Sequence, residues 1–295
     1  MRHDDLKRGA ISMIGAGLLF AGVGACVRVL SESLPNEMVV FFRSFLGLVA
    51  LLPLVWHRGF ANLKTRHFRG HLMRGLAGVA AMYCYFYAVA ALPLAEAVLL
   101  NYTTPLFVPF IAALWLQERI PPKLWTGIGI GFLGILFILR PGQELFTPAA
   151  LIGLVSGILA AFAVTGVRRL THTEPAWRIV FYFSLVSTLV AAAPLPLRWQ
   201  TPDASLWLLL IVMGVVASLG QLLLTRAYSH APAAQVGPFS YSTVMFAAVA
   251  GWLLWGEVLD LYSITGALLV CLGGILTIRY AGAAVAPAPE LPARD

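Results

Sequence analysis

The polar and aromatic side chains able to recognise a small molecule are few in this sequence, and they lie inside long apolar runs. Tyr83 and Tyr87 are spaced i, i+4, so on a helix they share a face, with Met82 beside them. Three further runs supply Asn101, Tyr102, Thr104 and Pro105; then Ser218, Gln221 and Thr225; then Pro238, Ser240, Tyr241 and Thr243. An amide without a partner costs roughly 2–7 kcal/mol in an apolar medium, so Asn101 and Gln221 must face protein, water or a bound solute. Bonding between helices is the structural alternative, a common use of such residues. The tyrosines fit packing or an interfacial belt, whereas a tyrosine-rich cavity would suit aromatic or amphipathic solutes. Arg43 stands about a turn inside its run, where a cation is expensive. It could attract a carboxylate on a solute, but pairing with Glu37 or snorkelling to the outer interface is the favoured reading. Arg226 reads as an anchor at the cytoplasmic end of its run.

Membrane helices are the elements that must carry these groups. Of 295 residues, 60% are apolar and 11% charged, against about 25% charged in ordinary soluble chains. The apolar residues fall in blocks long enough to cross about 30 Å of hydrocarbon as helices. Ten spans are expected, at 9–30, 38–56, 70–91, 95–116, 123–139, 149–168, 177–195, 205–228, 233–255 and 262–280. Pro and Gly punctuate the joins. Basic residues concentrate in alternate connections: Arg2, Lys7 and Arg8; Arg58, Lys64, Arg66, Arg69 and, at the helix start, Arg74; Arg119 and Lys123; Arg168, Arg169 and Arg178. By the positive-inside rule these face the cytoplasm, together with both termini. The net charge of +7 is thereby explained by topology, and no nucleic-acid partner is expected. Met1–Arg8 and the run after it read as a retained first helix rather than a signal peptide. The Ala/Pro-rich residues 281–295 read as a disordered tail.

The chain also resembles itself. At an offset of 139, Pro93 falls on Pro232, Tyr102 on Tyr241, Thr104 on Thr243, Glu118 on Glu257, Gly127 on Gly266 and Gly134 on Gly273. At 140, Gly17, Arg28 and Pro35 meet Gly157, Arg168 and Pro175. Two five-helix units follow, 9–140 and 149–280. Five is odd, so the second unit is inverted, with a pseudo-two-fold axis in the membrane plane and a central site able to open to either side. Gly127, Gly131, Gly134 and Gly266 read as close helix packing in preference to a dimer face, and the protein is expected as a monomer or a homodimer.

Chemistry of other kinds lacks its residues. There is no HExxH, GxSxG or P-loop, and Cys26, Cys84 and Cys271 lie in apolar runs without metal spacing. No cofactor or metal is expected, and the rival from another class, an intramembrane enzyme, has no nucleophile–base pair. No Asp, Glu or His lies near the middle of a span, which favours facilitated diffusion or exchange over proton coupling; Glu96, at the outer mouth, is the carboxylate nearest the proposed site. Pro105, Pro109 and Pro238 should kink the fourth and ninth spans, freeing carbonyls for an ammonium group or acting as hinges.

The stretch YFYAVAALPLAEAVLLNYTTPLFVPFIAALWLQERIP and its partner LLLTRAYSHAPAAQVGPFSYSTVMFAAVAGWLLWGEVLD resemble the two halves of an EamA-type protein of the drug/metabolite transporter superfamily. The Pro-x-Ala-Glu/Gln starts at Pro93 and Pro232 and the ends at Glu118 and Glu257 carry the resemblance, which runs from about residue 9 to residue 280. Gln117-Glu118 replaces a usual Gly-Glu. Within the superfamily the chain is most similar to bacterial YddG-type exporters of aromatic and other amino acids. The resemblance implies an all-α, ten-helix inner-membrane fold of two inverted repeats. It also implies a small-molecule substrate, with a cavity built from the third, fourth, eighth and ninth spans. The expected function is amino-acid export, with riboflavin-like or nucleoside-like metabolites as the transport alternatives. The candidate substrate contacts are Asn101, Tyr83, Tyr87, Tyr102, Thr104, Gln221, Ser240, Tyr241 and Arg43.

Overall fold

The computed structural model describes residues 3–116, 122–139, 147–171, 173–230 and 236–284. The expectations placed on Arg2, Gln117, Glu118, Arg119, Pro232 and residues 285–295 fall outside these. Among the described residues there are helices and no strands. In chain order they are α1 (His3–Ser31), α2 (Asn36–Arg58), α3 (Phe68–Ala91), α4 (Leu94–Asn101), α5 (Thr104–Leu116), α6 (Pro122–Leu139), α7 (Pro148–Leu170), α8 (Ala176–Ala192), the short α9 (Leu195–Arg198) and α10 (Ala204–His230). A 3-10 turn, Gly237–Tyr241, then leads into α11 (Ser242–Trp255), and α12 (Leu261–Ala284) follows.

Local chemistry sets most of the boundaries. Pro35, Pro93 and Pro175 precede α2, α4 and α8, where a missing N–H costs nothing. Thr147 caps α7 by accepting the Ala150 N–H. Gly59 and Gly256 end α2 and α11 with φ of 84° and 66°, which only glycine adopts freely.

Among the described residues, eight stretches are at least 18 residues long and apolar enough to cross a membrane, and the apolar helices Pro122–Ile138 and Ala176–Ala192 are shorter. The 17 residues of α8 extend about 26 Å at 1.5 Å per residue. The outward faces are apolar: Leu208, Ile211, Val215 and Leu219 on α10, and Leu261, Ile264, Leu268 and Leu272 on α12, repeat every three or four residues and stay exposed. Such stripes suit hydrocarbon surroundings. The chain is a multi-pass membrane protein.

The expected fourth span is broken between Asn101 and Thr104, and Pro105 is the cause. It has no N–H to give the Asn101 carbonyl. The Thr104 hydroxyl replaces it, 2.7 Å from that oxygen and 3.1 Å from the Gly157 carbonyl. The Asn101 carbonyl is therefore already satisfied, not left open for an ammonium group. The second break, at Tyr241, occupies the position 139 residues later.

Helices pair in a regular way. α6 packs along α12, α1 along α10, and α3 along α7; α2 meets both α8 and α10, and α3 meets α8. α1 also packs on α11, as α5 does on α7. Exchanging α1, α2, α3, α4–α5 and α6 for α7, α8, α10, α11 and α12 turns this set of pairs into itself.

The α6–α12 contact is the tightest example. A Cβ on Gly134 would lie 2.8 Å from the Gly266 carbonyl oxygen, and one on Gly266 2.9 Å from that of Gly134. Likewise a Cβ on Gly273 would fall 2.6 Å from the Gly127 oxygen, and one on Gly127 3.0 Å from that of Gly273. Later residues of α6 meet earlier ones of α12, so the two helices run antiparallel.

Two polar ties join loops at opposite ends. Between α7 and α8, Glu174 is buried; it accepts from the Thr65 hydroxyl and pairs with Arg178, and His71 Nε2 stands 3.9 Å away. Tyr182 adds a 2.9 Å bond to the Leu63 carbonyl. Burial raises the Glu174 pKa, but the Thr65 and Arg178 hydrogen bonds outweigh it and hold the carboxyl below its ordinary value. A depressed pKa contributes stability above the unfolded value, and that contribution is lost as pH falls through the folded one. The melting temperature of the detergent-solubilised protein should therefore drop on acidification below about pH 4.3, the ordinary glutamate value, and Glu174→Gln should flatten that part of the profile. At the other end, the Glu257 carboxylate stands 2.8 Å from Arg28 and accepts the Leu94 N–H at 2.8 Å, while Arg28 also donates to the Leu92 carbonyl at 2.6 Å.

Candidate functional site

A cavity of about 210 Å³ lies at the middle of these pairings, walled by α1, α2, α3, the α4–α5 break, α7, α8, α10, the 237–241 turn and α12. That is below the roughly 300–1,000 Å³ of pockets for drug-sized ligands and fits a small metabolite. On α3 the lining positions are Arg74, Gly78, Ala81, Met82, Tyr85 and Phe86. This is one helical face, stepping by three and four from Arg74.

Two arginines dominate the lining. Arg74 is 5% exposed, and its Nη2 donates to the Gln221 side-chain oxygen at 3.0 Å. Its Cζ lies 3.6 Å from the centroid of the Phe183 ring, within cation–π range. Its stem packs against Gly166, where a Cβ would come within 3.2 Å. Its head passes Gly78, where a Cβ would be 2.7 Å from Nη1 and 2.8 Å from the Phe183 ring. Its Nε and Nη1 have no hydrogen-bond partner.

Arg43 is 6% exposed, with Cζ 5.1 Å from the same ring centroid. This corrects the expectation that it pairs with Glu37 or snorkels outward. Glu37 lies 3.8 Å from Arg198 instead, and the Arg43 side chain is enclosed beside Phe183. Among the described residues, no carboxylate oxygen lies within 4.0 Å of Arg43 or Arg74. A third guanidinium, Arg168, lines the cavity 5.9 Å from the Tyr228 ring, which also lines it.

Several sequence candidates meet here. Asn101 lines the cavity while its amide donates to Ser156 at 2.9 Å, and Gln221 lines it while bonded to Arg74. Helix bonding and cavity lining are combined in both. Tyr102 lines it with its hydroxyl accepting from Thr243 at 2.8 Å, and its ring lies 6.5 Å from that of Tyr241. Thr104 and Ser240 line it too, the latter bonded to the Gly237 carbonyl.

Tyr83, Tyr87 and Tyr241 do not line it. Tyr83 packs in the core, with its own carbonyl accepting from Asn36. Tyr87 is 43% exposed on the outer surface, and Tyr241 is buried with its hydroxyl 3.4 Å from the Val270 carbonyl. The Tyr83–Tyr87 face is turned away because Arg74 and Gly78 fix the inward face of α3.

The expected set of four walls is incomplete. α7 forms a wall of small residues, Ala160, Ala163, Val164 and Val167, ending in Arg168. Neither Arg74 nor Arg168 stood out in the sequence, because both sit where a positive-inside loop meets a helix. For Arg74 the signal was its register with the glycines at one-turn spacing.

Comparisons with known proteins bear on the family of the chain. The sequence model of the EamA-like transporter family matches residues 7–140 and again residues 147–279. The pseudopaline exporter CntI of Pseudomonas aeruginosa is 38% identical over 281 residues, covering 94% of this chain and 98% of that protein. A riboflavin transporter of Vibrio cholerae is 31% identical, covering 88% of each chain. An S-adenosylmethionine uptake transporter of Rickettsia felis is 28% identical, covering 90% of this chain and 92% of that one. A solved crystal structure shares the fold at a TM-score of 0.64 and 20% identity, covering 94% of this chain. With two matches that together span nearly its whole length, the chain belongs to the EamA-like transporter family of the drug/metabolite transporter superfamily.

Proposed function

We propose that the protein exports an amphipathic, amino-acid-type metabolite across the inner membrane by alternating access, with both termini cytoplasmic. The observation that carries this reading is the central cavity, bounded by corresponding elements of both halves: α1 and α7, α3 and α10, the α4–α5 break and the 237–241 turn. The exchange pattern of helix contacts, the antiparallel α6–α12 pair and the two family matches support two inverted five-helix repeats, with α6 and α8 counted among ten spans. An inverted pair has two equivalent ways to close around one site, one open to each side. The basic residues at Arg58–Arg69 and Arg168–Arg178 favour the cytoplasm for the end tied by Glu174. Among the described residues no carboxylate lines the cavity, which supports movement down the solute gradient or exchange rather than proton coupling.

Family membership establishes a metabolite as cargo and leaves its identity open, since the named cargoes of the relatives differ. Export is favoured by the exporter at 38% identity. The aromatic walls of Tyr85, Phe86, Phe183 and Tyr228 also suit a planar ring such as a flavin. The test is uptake of labelled amino acids, riboflavin and nucleosides into proteoliposomes, with and without an imposed pH gradient. Amino-acid flux that ignores the gradient is expected. Flux of flavin or nucleoside alone would move the assignment to those solutes.

A further inference from the structure

The cavity holds positive charge that no described protein group balances. Arg43 on α2 and Arg74 on α3 converge on one ring, Phe183 of α8, and both are more than nine-tenths buried. Arg74 uses one nitrogen on Gln221 and leaves Nε and Nη1 without acceptors. Among the described residues, the lining contains Arg168 as a third guanidinium and neither Asp nor Glu. Buried cations in membrane proteins are ordinarily paired, because desolvation without a counter-charge costs several kcal/mol.

We propose that the missing counter-charge is the solute, a metabolite bearing two carboxylates, one bound by Arg74 and the other by Arg43. This rests on the cavity being the transport site. The guanidinium fork matches a carboxylate with two parallel hydrogen bonds, and Gln221 fixes the orientation of Arg74. Gly78 and Gly166 leave the space in which Arg74 can hold that position. The apolar body of the solute packs on Tyr85, Phe86 and the Phe183 ring. A neutral amino acid fits less well, since it brings one carboxylate together with an ammonium group that the arginines repel.

The test compares benzylsuccinate with 4-phenylbutyrate, which share an aromatic body but carry two carboxylates and one, and with phenyl phosphate. Binding is read by thermal shift of the purified protein, and transport by uptake of labelled compound into proteoliposomes. In the wild type, benzylsuccinate should bind at least about tenfold more tightly than 4-phenylbutyrate, the added charge-assisted pair supplying the difference. Arg43→Gln and Arg74→Gln should each bring benzylsuccinate down to the monocarboxylate level, and Arg74→Lys should restore only part of the gap. Equal wild-type affinity for the two acids would overturn the proposal, and that comparison needs no variant to fold. Tighter binding of phenyl phosphate would overturn it too, placing both arginines on one dianionic group. If phenylalanine is carried but benzylsuccinate is neither bound nor carried, the dicarboxylate assignment fails while the transporter stands. If benzylsuccinate binds through both arginines yet no solute moves, the site stands and the transport role of the cavity fails.

Discussion

Gly273→Leu should yield no folded protein, and Gly273→Ala should lower the melting temperature sharply. A Cβ at this position would lie 2.4 Å from the Gly131 nitrogen and 2.6 Å from the Gly127 carbonyl oxygen. Both are backbone atoms, so no side-chain rotation relieves the contact and α6 and α12 must separate. Overpacking of this kind costs about 1–3 kcal/mol for one methyl group, and more for a branched side chain. The partner position supplies a second reading. Gly127→Ala, whose Cβ would meet the Thr277 nitrogen at 2.8 Å, should destabilise in the same direction. Gly129 lies one helical step off this face, with nothing within 4 Å of a Cβ. Gly129→Ala should therefore be neutral, or stabilising by up to about 1 kcal/mol through helix propensity. Melting of the three alanine variants in detergent checks the order. Equal effects would mean that the glycines do not set the distance between the helices.

The second large effect is expected at Glu257. Its carboxylate holds Arg28 of α1 and the free N–H at the start of α4, and so joins α1, α4 and α11 at the end opposite the Glu174 tie, the outer end in the proposed orientation. Glu257→Ala leaves the Arg28 guanidinium without its carboxylate and the Leu94 N–H without an acceptor, a loss of about 2–4 kcal/mol. In the proposed alternating cycle these contacts exist when the outer side is closed. Their loss should therefore shift the population toward the outward-open state by about 30-fold or more. Net flux should fall while the protein stays folded. Glu257→Gln retains an acceptor for Leu94 and should be milder. If flux in Glu257→Ala matches wild type, the tie has no part in closing the outer side.

Much of this architecture was legible in the sequence. Helix bounds follow the apolar blocks and their proline and glycine stops, because hydrocarbon leaves the backbone few alternatives to a helix. The break at Asn101–Thr104 follows from Pro105, although the rescue of the freed carbonyl by Thr104 depends on a rotamer that the sequence does not specify. Asn101, Tyr102, Thr104, Gln221 and Ser240, polar groups at membrane depth in the sequence, line the cavity. The tyrosine pair on α3 misled for a geometric reason. A shared face says which residues look the same way, and only packing says which way that is. Arg43 reads both as a candidate solute contact and, in preference, as an interface charge, and Arg74 and Arg168 read as loop charges, since sequence position alone cannot tell a snorkelling arginine from one folded inward over an aromatic ring. The small residues of α7 carry no chemical signature, yet their size is what gives the cavity room.

The central claim is that one cavity opens in turn to both sides of the membrane. The most direct measurement places a single cysteine at Ser240, a cavity-lining position with a small polar side chain. Cys26, Cys84 and Cys271 are first replaced, and a membrane-impermeant thiol reagent is then applied to right-side-out and inside-out vesicles. Labelling from both sides, slowed from both by a transported solute, is the predicted result. Labelling from one side only, unchanged in Glu257→Ala, would contradict alternating access.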